Sequence, residues 1–457
     1  MEELIYKPAT MLASMIRRKE VSSVEVVEAY LQRIEAVNPK LNAVVQLSVE
    51  TARTQAQQAD AALARGDSQG PLHGVPMTIK DSLDTAGVIS TGGTKGRASF
   101  VPTADATVVA RLRAAGAILL GKTNTPEFTL SFETDNLIYG RTSNPYDLSR
   151  TSGGSSGGAA AIIAAGGSPF DIGSDYGGSI RLPAHCCGIA GIKPTAGRVP
   201  RTGHIFPFGG ILDTFQQLGP LARTVNDLKL LLPLIVGPDW IDPAIVPLPL
   251  GNPEAVPLNP LRVAFHTDNG VLAPTQATAA VIRKAATLLA DEGMRVEEAR
   301  PKGIEQSYET FRALVSADGG AAVRRLLQAA GTTEHSFPGL SAAQAVSAAQ
   351  LDALIVKWYR IRSAMLSFFR EYEVILCPVN AYPALPHGSM EEVLQAFSYT
   401  MTYNLTGWPG AVVRGGTSPE GLPIGIQIVA QPWREEVALA VAAYLEKALG
   451  GWQRPPL

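Results

Sequence analysis

Residues 151–158 read TSGGSSGG and run on into GGAAAIIAAGG at 157–167. Half of the octapeptide is glycine, and every other residue carries a hydroxyl. Three readings are open. A Gly/Ser run behaves as loose coil in a linker. Glycine lets backbone N–H groups approach an anion, as in a phosphate cradle. A serine on such a loop can also serve a catalytic site. The stretch at 157–167 predicts a small-residue helix, fit for packing close to a sheet or a second helix. Gly153-Gly154-Ser155-Ser156-Gly157 formally matches the G-x-S-x-G nucleophile elbow, but that motif needs a buried strand before its serine. The preceding NPYDLSRTS reads as loop. The octapeptide alone does not choose among the three.

The flanking sequence alternates in texture. Upstream, Ser22-x-x-Glu25 is a capping box, and Val26, Val27, Tyr30, Leu31 and Ile34 follow at helical spacing. Asn38-Pro39 is expected to end that helix. An alanine-rich helix spans 49–65 and stops at Gly66. Residues 75–79 read as a short strand directly before Lys80, 104–115 as a helix, and AILLGK (117–122) as a buried strand. This alternation predicts an α/β sheet. Residues 236–260 are proline-dense and read as an irregular connection. Beyond them, 262–266 and 374–379 read as strands, and 274–292, 304–330 and 341–372 as helices. The segments 404–416 and 422–430 read as paired strands, and 434–449 as a closing helix. The whole predicts one large α/β domain with a helical insertion near 304–372.

Composition narrows the function classes. The 457 residues are 46% apolar and 18% charged, enough apolar material for a large core. A net charge of −2 without a basic patch disfavours nucleic-acid binding. Cys186, Cys187 and Cys377 form no disulfide framework and read as reduced and buried. The six histidines are scattered, with no H-E-x-x-H pair, so no metal site is expected. No Walker-type phosphate loop occurs. MEELIYKPATMLASMIRRKE lacks a long apolar run and predicts no signal peptide. No apolar run is long enough to span a membrane. A soluble, cytoplasmic chain is expected.

Two further segments carry chemistry. Lys80 follows a strand in GVPMTIKD (74–81). Most lysines are solvated surface charges. A buried one loses its proton more readily and can act as a base toward a serine. In GSDYGGSIR, Ser179 follows two glycines, so the N–H groups of Tyr176, Gly177, Gly178 and Ser179 can face one concavity. Such donors stabilise the oxyanion of acyl transfer. A plain glycine turn is the simpler reading of that segment taken alone.

Together these segments resemble the amidase signature family. The resemblance rests on GVPMTIKD (74–81), GGSSGG (153–158), GSDYGGSIRLPA (173–184) and GIAGIKPTAGRVP (188–200). It extends to DATVVARLRAAGAILLGKTNTPEF (105–128), NLTGWPGAVV and GLPIGIQIV, with 236–400 the least family-like part. It implies one α/β domain over 1–457, with a mixed, twisted central β-sheet covered by helices on both faces. Within it, 1–65 would form N-terminal helices, 66–235 the catalytic core and 236–260 the proline-rich connection. Residues 304–400 would form a helical insertion bearing the substrate pocket, and 401–457 the last strands and helix. The resemblance implies a Ser–cisSer–Lys triad. Ser179 maps to the nucleophile, Ser155 to the bridging serine after a cis Gly154–Ser155 peptide, and Lys80 to the base. The oxyanion hole would be the N–H groups of Tyr176, Gly177, Gly178 and Ser179. No cofactor or metal is implied. Ser156 is either a triad partner or an ordinary helix N-cap. Asp175 and Arg181 are expected to brace the loop, and His185 to be packed in the core. Tyr176 departs from the smaller residue, such as threonine, that many members carry.

The family implies a hydrolase of C–N bonds. The expected substrates are small hydrophobic or aryl amides, as for aryl acylamidases, with carbamates (urethanes) as a further class. The pocket wall is expected from 124–140 and 304–400, which carry Phe128, Phe132, Tyr139, Phe311, Phe397, Tyr399 and Tyr403. The expected partner is the small substrate, with no nucleic acid or membrane, and a monomer or homodimer. The alternatives are the A subunit of a tRNA-dependent amidotransferase, which lacks its expected basic docking surface here, and a non-catalytic scaffold, which the intact Lys80, Ser155 and Ser179 oppose.

Overall fold

Short apolar runs bounded by glycine or proline become the strands of the protein. The structure is a computed structural model describing residues 3–457, so the first two residues of the 1–65 segment lie outside the described residues. The strands are β1 (Val44–Leu47), β2 (Pro76–Lys80), β3 (Ile118–Thr123), β4 (Phe170–Asp175), β5 (Ala190–Lys193), β6 (Gln217–Ala222), β7 (Arg262–Phe265), β8 (Arg295–Glu298), β9 (Val374–Pro378), β10 (Gly410–Thr417) and β11 (Pro423–Ala430). Eight form one mixed sheet in the order β4-β6-β5-β10-β11-β9-β7-β8. Strand β7 runs parallel to β8 and β9. The other pairs are antiparallel. Every residue of β9 and β11 is buried. Burial on both faces explains why these strands read as continuous apolar runs rather than alternating ones. Helices Arg181–Cys186, Gln276–Asp291 and Glu435–Leu449 pack on this sheet.

Strands β1, β3 and β2 form a separate three-stranded sheet, which the expected single central sheet did not include. It abuts the large sheet where β2 meets β4. There Thr78 donates its N–H to Ser168 Oγ at 3.2 Å and its hydroxyl to Asp171 Oδ2 at 2.6 Å. Side chains alternate along a strand, so Lys80 shares the Thr78 face and turns toward β4. Met77 and Ile79 enter the core on the other face.

The helix Gly157–Ala164 is wholly buried. A Cβ at Gly158 would lie 2.4 Å from Asn124 N and 2.7 Å from Ala43 O. Glycine there lets the helix touch the backbone of its neighbours, as its small-residue composition requires.

Several expected boundaries move. The Ser22 capping box forms, but its helix, Ser23–Leu41, runs through Pro39. Proline forfeits one N–H near the helix end, while Asn42 N–H still reaches Asn38 O at 2.7 Å. Asn42, in the left-handed region with φ 50°, then ends the helix. The 304–330 segment breaks into Ser307–Ser316 and Ala321–Ala330, because Asp318 accepts the N–H groups of Gly320 and Ala322 at 2.8 and 2.7 Å. The 341–372 helix begins only at Ala348, after a Ser347/Gln350 capping box. Residues 404–406 end a helix, Ser398–Thr406, rather than start a strand. Strands β4, β5 and β6 contain glycine or proline and lack alternation, which hid them in the sequence.

Gly158→Ala is expected to destabilise the protein by about 2 kcal/mol through overpacking. Chemical denaturation measures this, and an unchanged midpoint would contradict the packing described.

Candidate active site

Lys80 ends β2 and is fully buried. Its Nζ lies 2.6 Å from Ser155 Oγ and 2.9 Å from both Ser156 Oγ and Ser174 Oγ. Burial holds its pKa well below the ordinary lysine range, against the opposing pull of the Asp175 and Asp171 carboxylates. An unprotonated amine would keep two N–H donors and one lone pair, and one of the three hydroxyls would then donate to it. Ser156 Oγ is also placed to donate to the Ser174 carbonyl, at 3.4 Å. Of the three hydroxyls, that of Ser155 lies closest to Nζ.

Ser155 is presented by the TSGGSSGG loop. The Gly154–Ser155 peptide is cis, as the family resemblance implies. A Cβ at Gly154 would sit 2.6 Å from the Phe132 carbonyl carbon and 2.7 Å from Glu133 N. Glycine is therefore needed where the 131–133 backbone crosses this loop. Ser156 occupies the N-cap position without a side-chain capping bond. Its hydroxyl serves Lys80 instead, which settles the choice left open by the sequence. Its N–H donates to Ser179 O at 3.2 Å and joins the two serine loops.

The loop carrying Ser179 is shaped by Asp175 and Arg181, both fully buried and paired at 2.8 Å. Asp175 Oδ1 accepts the Gly178 N–H at 2.9 Å, and Oδ2 accepts the Ile180 N–H at 3.0 Å. Arg181 also donates to Thr400 O and Gln427 Oε1 at 2.9 and 2.7 Å. Burial alone would raise the Asp175 carboxyl, but Arg181 and its hydrogen bonds pull it well below the usual range. Because these charges are fully hydrogen-bonded, their desolvation is offset, and removing either would strand the other.

One N–H of the expected donor set, that of Gly178, is already bonded to Asp175 Oδ1. Among the described residues, the N–H groups of Tyr176, Gly177 and Ser179 have no such acceptor. Thr400 further fixes the loop by donating its hydroxyl to Gly177 O at 2.7 Å. Gly178 has φ 134°, and a Cβ there would meet Thr400 Oγ1 at 2.3 Å.

Ser179 lies in the wall of a cavity of about 250 Å³. Thr129, Leu130, Ser131 and Phe132 form one side, from the expected 124–140 segment. Phe311, Arg312, Val315, Val323, Met390 and Leu394 come from the expected helical region. Leu212, Met401 and Tyr176 complete the lining with Gly177. Tyr176 packs edge-on against Phe206, Phe215 and Phe311. Among the other aromatics, Phe397 stacks behind Phe132 at 4.1 Å, and Phe128 stacks on Phe337. The Tyr399 hydroxyl donates to Leu272 O, and that of Tyr139 accepts from Gln46. These are structural roles. Among the described residues no hydrogen bond joins Ser155 Oγ to Ser179 Oγ.

His185 is buried, accepting from Gly425 N–H through Nδ1 and contacting Tyr382 O through Nε2. The three cysteines are free and buried. No cluster of metal-binding side chains occurs among the described residues. Nor, among those residues, is any helix long and apolar enough to cross a membrane. Sequence reasoning missed Ser174 and Thr400. Ser174 could have been found from its position five residues before Ser179 on a predicted strand, had β4 been recognised. Thr400 lies far off in the chain and leaves no local signal.

Comparison with known proteins agrees with this geometry. The Amidase family model matches residues 25–439. The chain is 36% identical to fatty-acid amide hydrolase 2-B of Danio rerio, over 99% of this chain and 91% of that protein. It is 37% identical to the indoleacetamide hydrolase of Bradyrhizobium diazoefficiens, over 96% and 86%. Among solved structures, 6-aminohexanoate cyclic dimer hydrolase superposes with a TM-score of 0.89 at 29% identity, covering 99% of both chains. A mixed α/β fold with a large sheet, and a family match along nearly the whole length, place this chain in the amidase signature family, as a hydrolase of amide C–N bonds.

Proposed function

We propose that the chain hydrolyses small hydrophobic or aryl amides through an acyl-enzyme on Ser179, with carbamate esters as a second substrate class. The observation that carries this reading is a fully buried lysine amine 2.6 Å from Ser155, beside a serine that lines an apolar cavity. Ser179 Oγ attacks the carbonyl while its proton passes to Ser155, whose own proton passes to neutral Lys80. The N–H groups of Tyr176, Gly177 and Ser179 receive the oxyanion. Lys80 returns a proton through Ser155 to the leaving nitrogen, since an amine anion is a poor leaving group. Water then cleaves the ester by the same relay, restoring Ser179 and releasing the acid. Binding of the substrate draws the Ser155–Ser179 link together, as catalytic hydrogen bonds commonly tighten only in the complex. The apolar lining favours aliphatic or aryl groups.

A serine-directed phosphonate is expected to add once to the purified chain, with the adduct mapping to Ser179 by mass spectrometry. An adduct on Ser155 would reverse the roles assigned to the two serines. Ser179→Ala is expected to lower turnover of a nitroanilide by about a thousandfold or more. If the purified chain is inert on all small amides and carbamates and is rescued by added subunits, the amidotransferase reading replaces this one.

Lys80 also makes a pH prediction. Its folded pKa is depressed, so below an unfolded pKa of about 10.4 the unfolded chain takes up a proton that the folded chain refuses. The contribution of this lysine to stability is therefore lost as pH falls from about 10.4 toward its folded pKa. Relative to wild type, Lys80→Met should be more favourable at pH 7 than at pH 10 in denaturant titrations. A pH-independent difference between the two proteins would refute a neutral Lys80.

A further inference from the structure

Among the described residues, Arg312 is the one charged residue in the cavity lining. It stands on helix Ser307–Ser316 between Phe311 and Val315, which line the same cavity. Among the described residues no Asp or Glu lines that cavity. Among the described residues Arg312 takes part in no ion pair and no side-chain hydrogen bond. The nearby Asp318 already accepts the N–H groups of Gly320 and Ala322. By contrast, the buried arginines Arg181, Arg198 and Arg201 all pair with buried carboxylates. Arg312 thus offers five unshared N–H donors and a fixed positive charge to whatever occupies the cavity.

The surroundings limit the ligand. Phe132, Phe311 and Met401 leave an apolar path in the cavity that holds both Ser179 and Arg312. A single guanidinium balances one negative charge, and its planar fork matches a carboxylate bidentately. We propose that Arg312 selects amides whose apolar arm bears a terminal carboxylate, with the scissile carbonyl at Ser179 and the carboxylate at the guanidinium. This rests on the amide-hydrolase reading above. It adds a specificity determinant that works in substrate binding rather than in bond cleavage, because Arg312 touches no member of the proton relay.

The test compares matched anilides: the mono-nitroanilide of suberic acid, its methyl ester, and N-octanoyl-4-aminobenzoate with its own methyl ester. The first pair places the carboxylate on the acyl arm, the second on the amine side. Wild type is expected to prefer the acid of one pair by about fivefold to tenfold in kcat/KM at low salt, mainly through KM. That preference should shrink in high salt. Arg312→Gln should bring the acid-to-ester ratio to about one, and Arg312→Lys should restore part of it. Arg312 is solvent-exposed, so both variants should fold, which a thermal melt verifies. Turnover of the esters without any acid preference, or a preference that survives Arg312→Gln, overturns this inference alone. No turnover of any anilide together with no phosphonate adduct overturns the amide reading and this inference with it.

Discussion

The site depends on keeping water away from one amine. Burial holds the Lys80 amine well below the ordinary lysine range, and that burial follows from how two sheets meet. Strand β2 brings the lysine to the edge of β4, where Ser174 waits, and the Gly157–Ala164 helix closes over it with Ser155 and Ser156 at its start. The neighbouring carboxylates do not undo this. Burial raises the Asp171 carboxyl to about 7, although two threonine hydroxyls bond it. Asp175 is occupied by Arg181. Each nearby acid is therefore either drawn toward neutrality or paired with its own cation, and neither forms an ion pair with Lys80.

The second constraint is the shape of the loop around Ser179. It is set by a buried ion pair whose partners come from far along the chain. Arg181 reaches Thr400 and Gln427, and Asn404 donates to Asp175. The last third of the protein thus shapes a loop encoded in its middle. Buried pairs of this kind add little net stability, because desolvation offsets attraction. What the Asp175–Arg181 pair supplies here is orientation: Asp175 accepts the Gly178 and Ile180 N–H groups and fixes the loop on either side of Ser179. The catalytic core and the recognition surface are built differently. Lys80 and its hydroxyl partners sit in close-packed glycine and serine backbone, whereas helices Ser307–Ser316 and Ala321–Ala330 supply larger side chains to the cavity wall.

Much of this was legible in the residues. The Ser22 capping box, the strand before Lys80, the buried run at 118–123 and the closing helix are local, and periodicity or capping chemistry reveals them. Motifs at their separations pointed to Lys80, Ser155 and Ser179. The errors have physical causes. Pro39 was read as a helix stop, but a proline near a helix end loses one N–H and no more. Strands β4 to β6 were hidden because glycine and proline replace alternation where a strand is buried on both sides. For Gly178 the sequence shows that an N–H exists and not that Asp175 accepts it.

The residue types of the site, their order and the family they mark belong to the sequence itself, because they are carried by short motifs whose chemistry is local. The depressed pKa of Lys80, the partners of the Ser156 hydroxyl and the acceptor of the Gly178 N–H were decided only by the tertiary structure. Each depends on burial or on partners dozens to hundreds of residues away, and desolvation and hydrogen bonding act through space rather than along the chain.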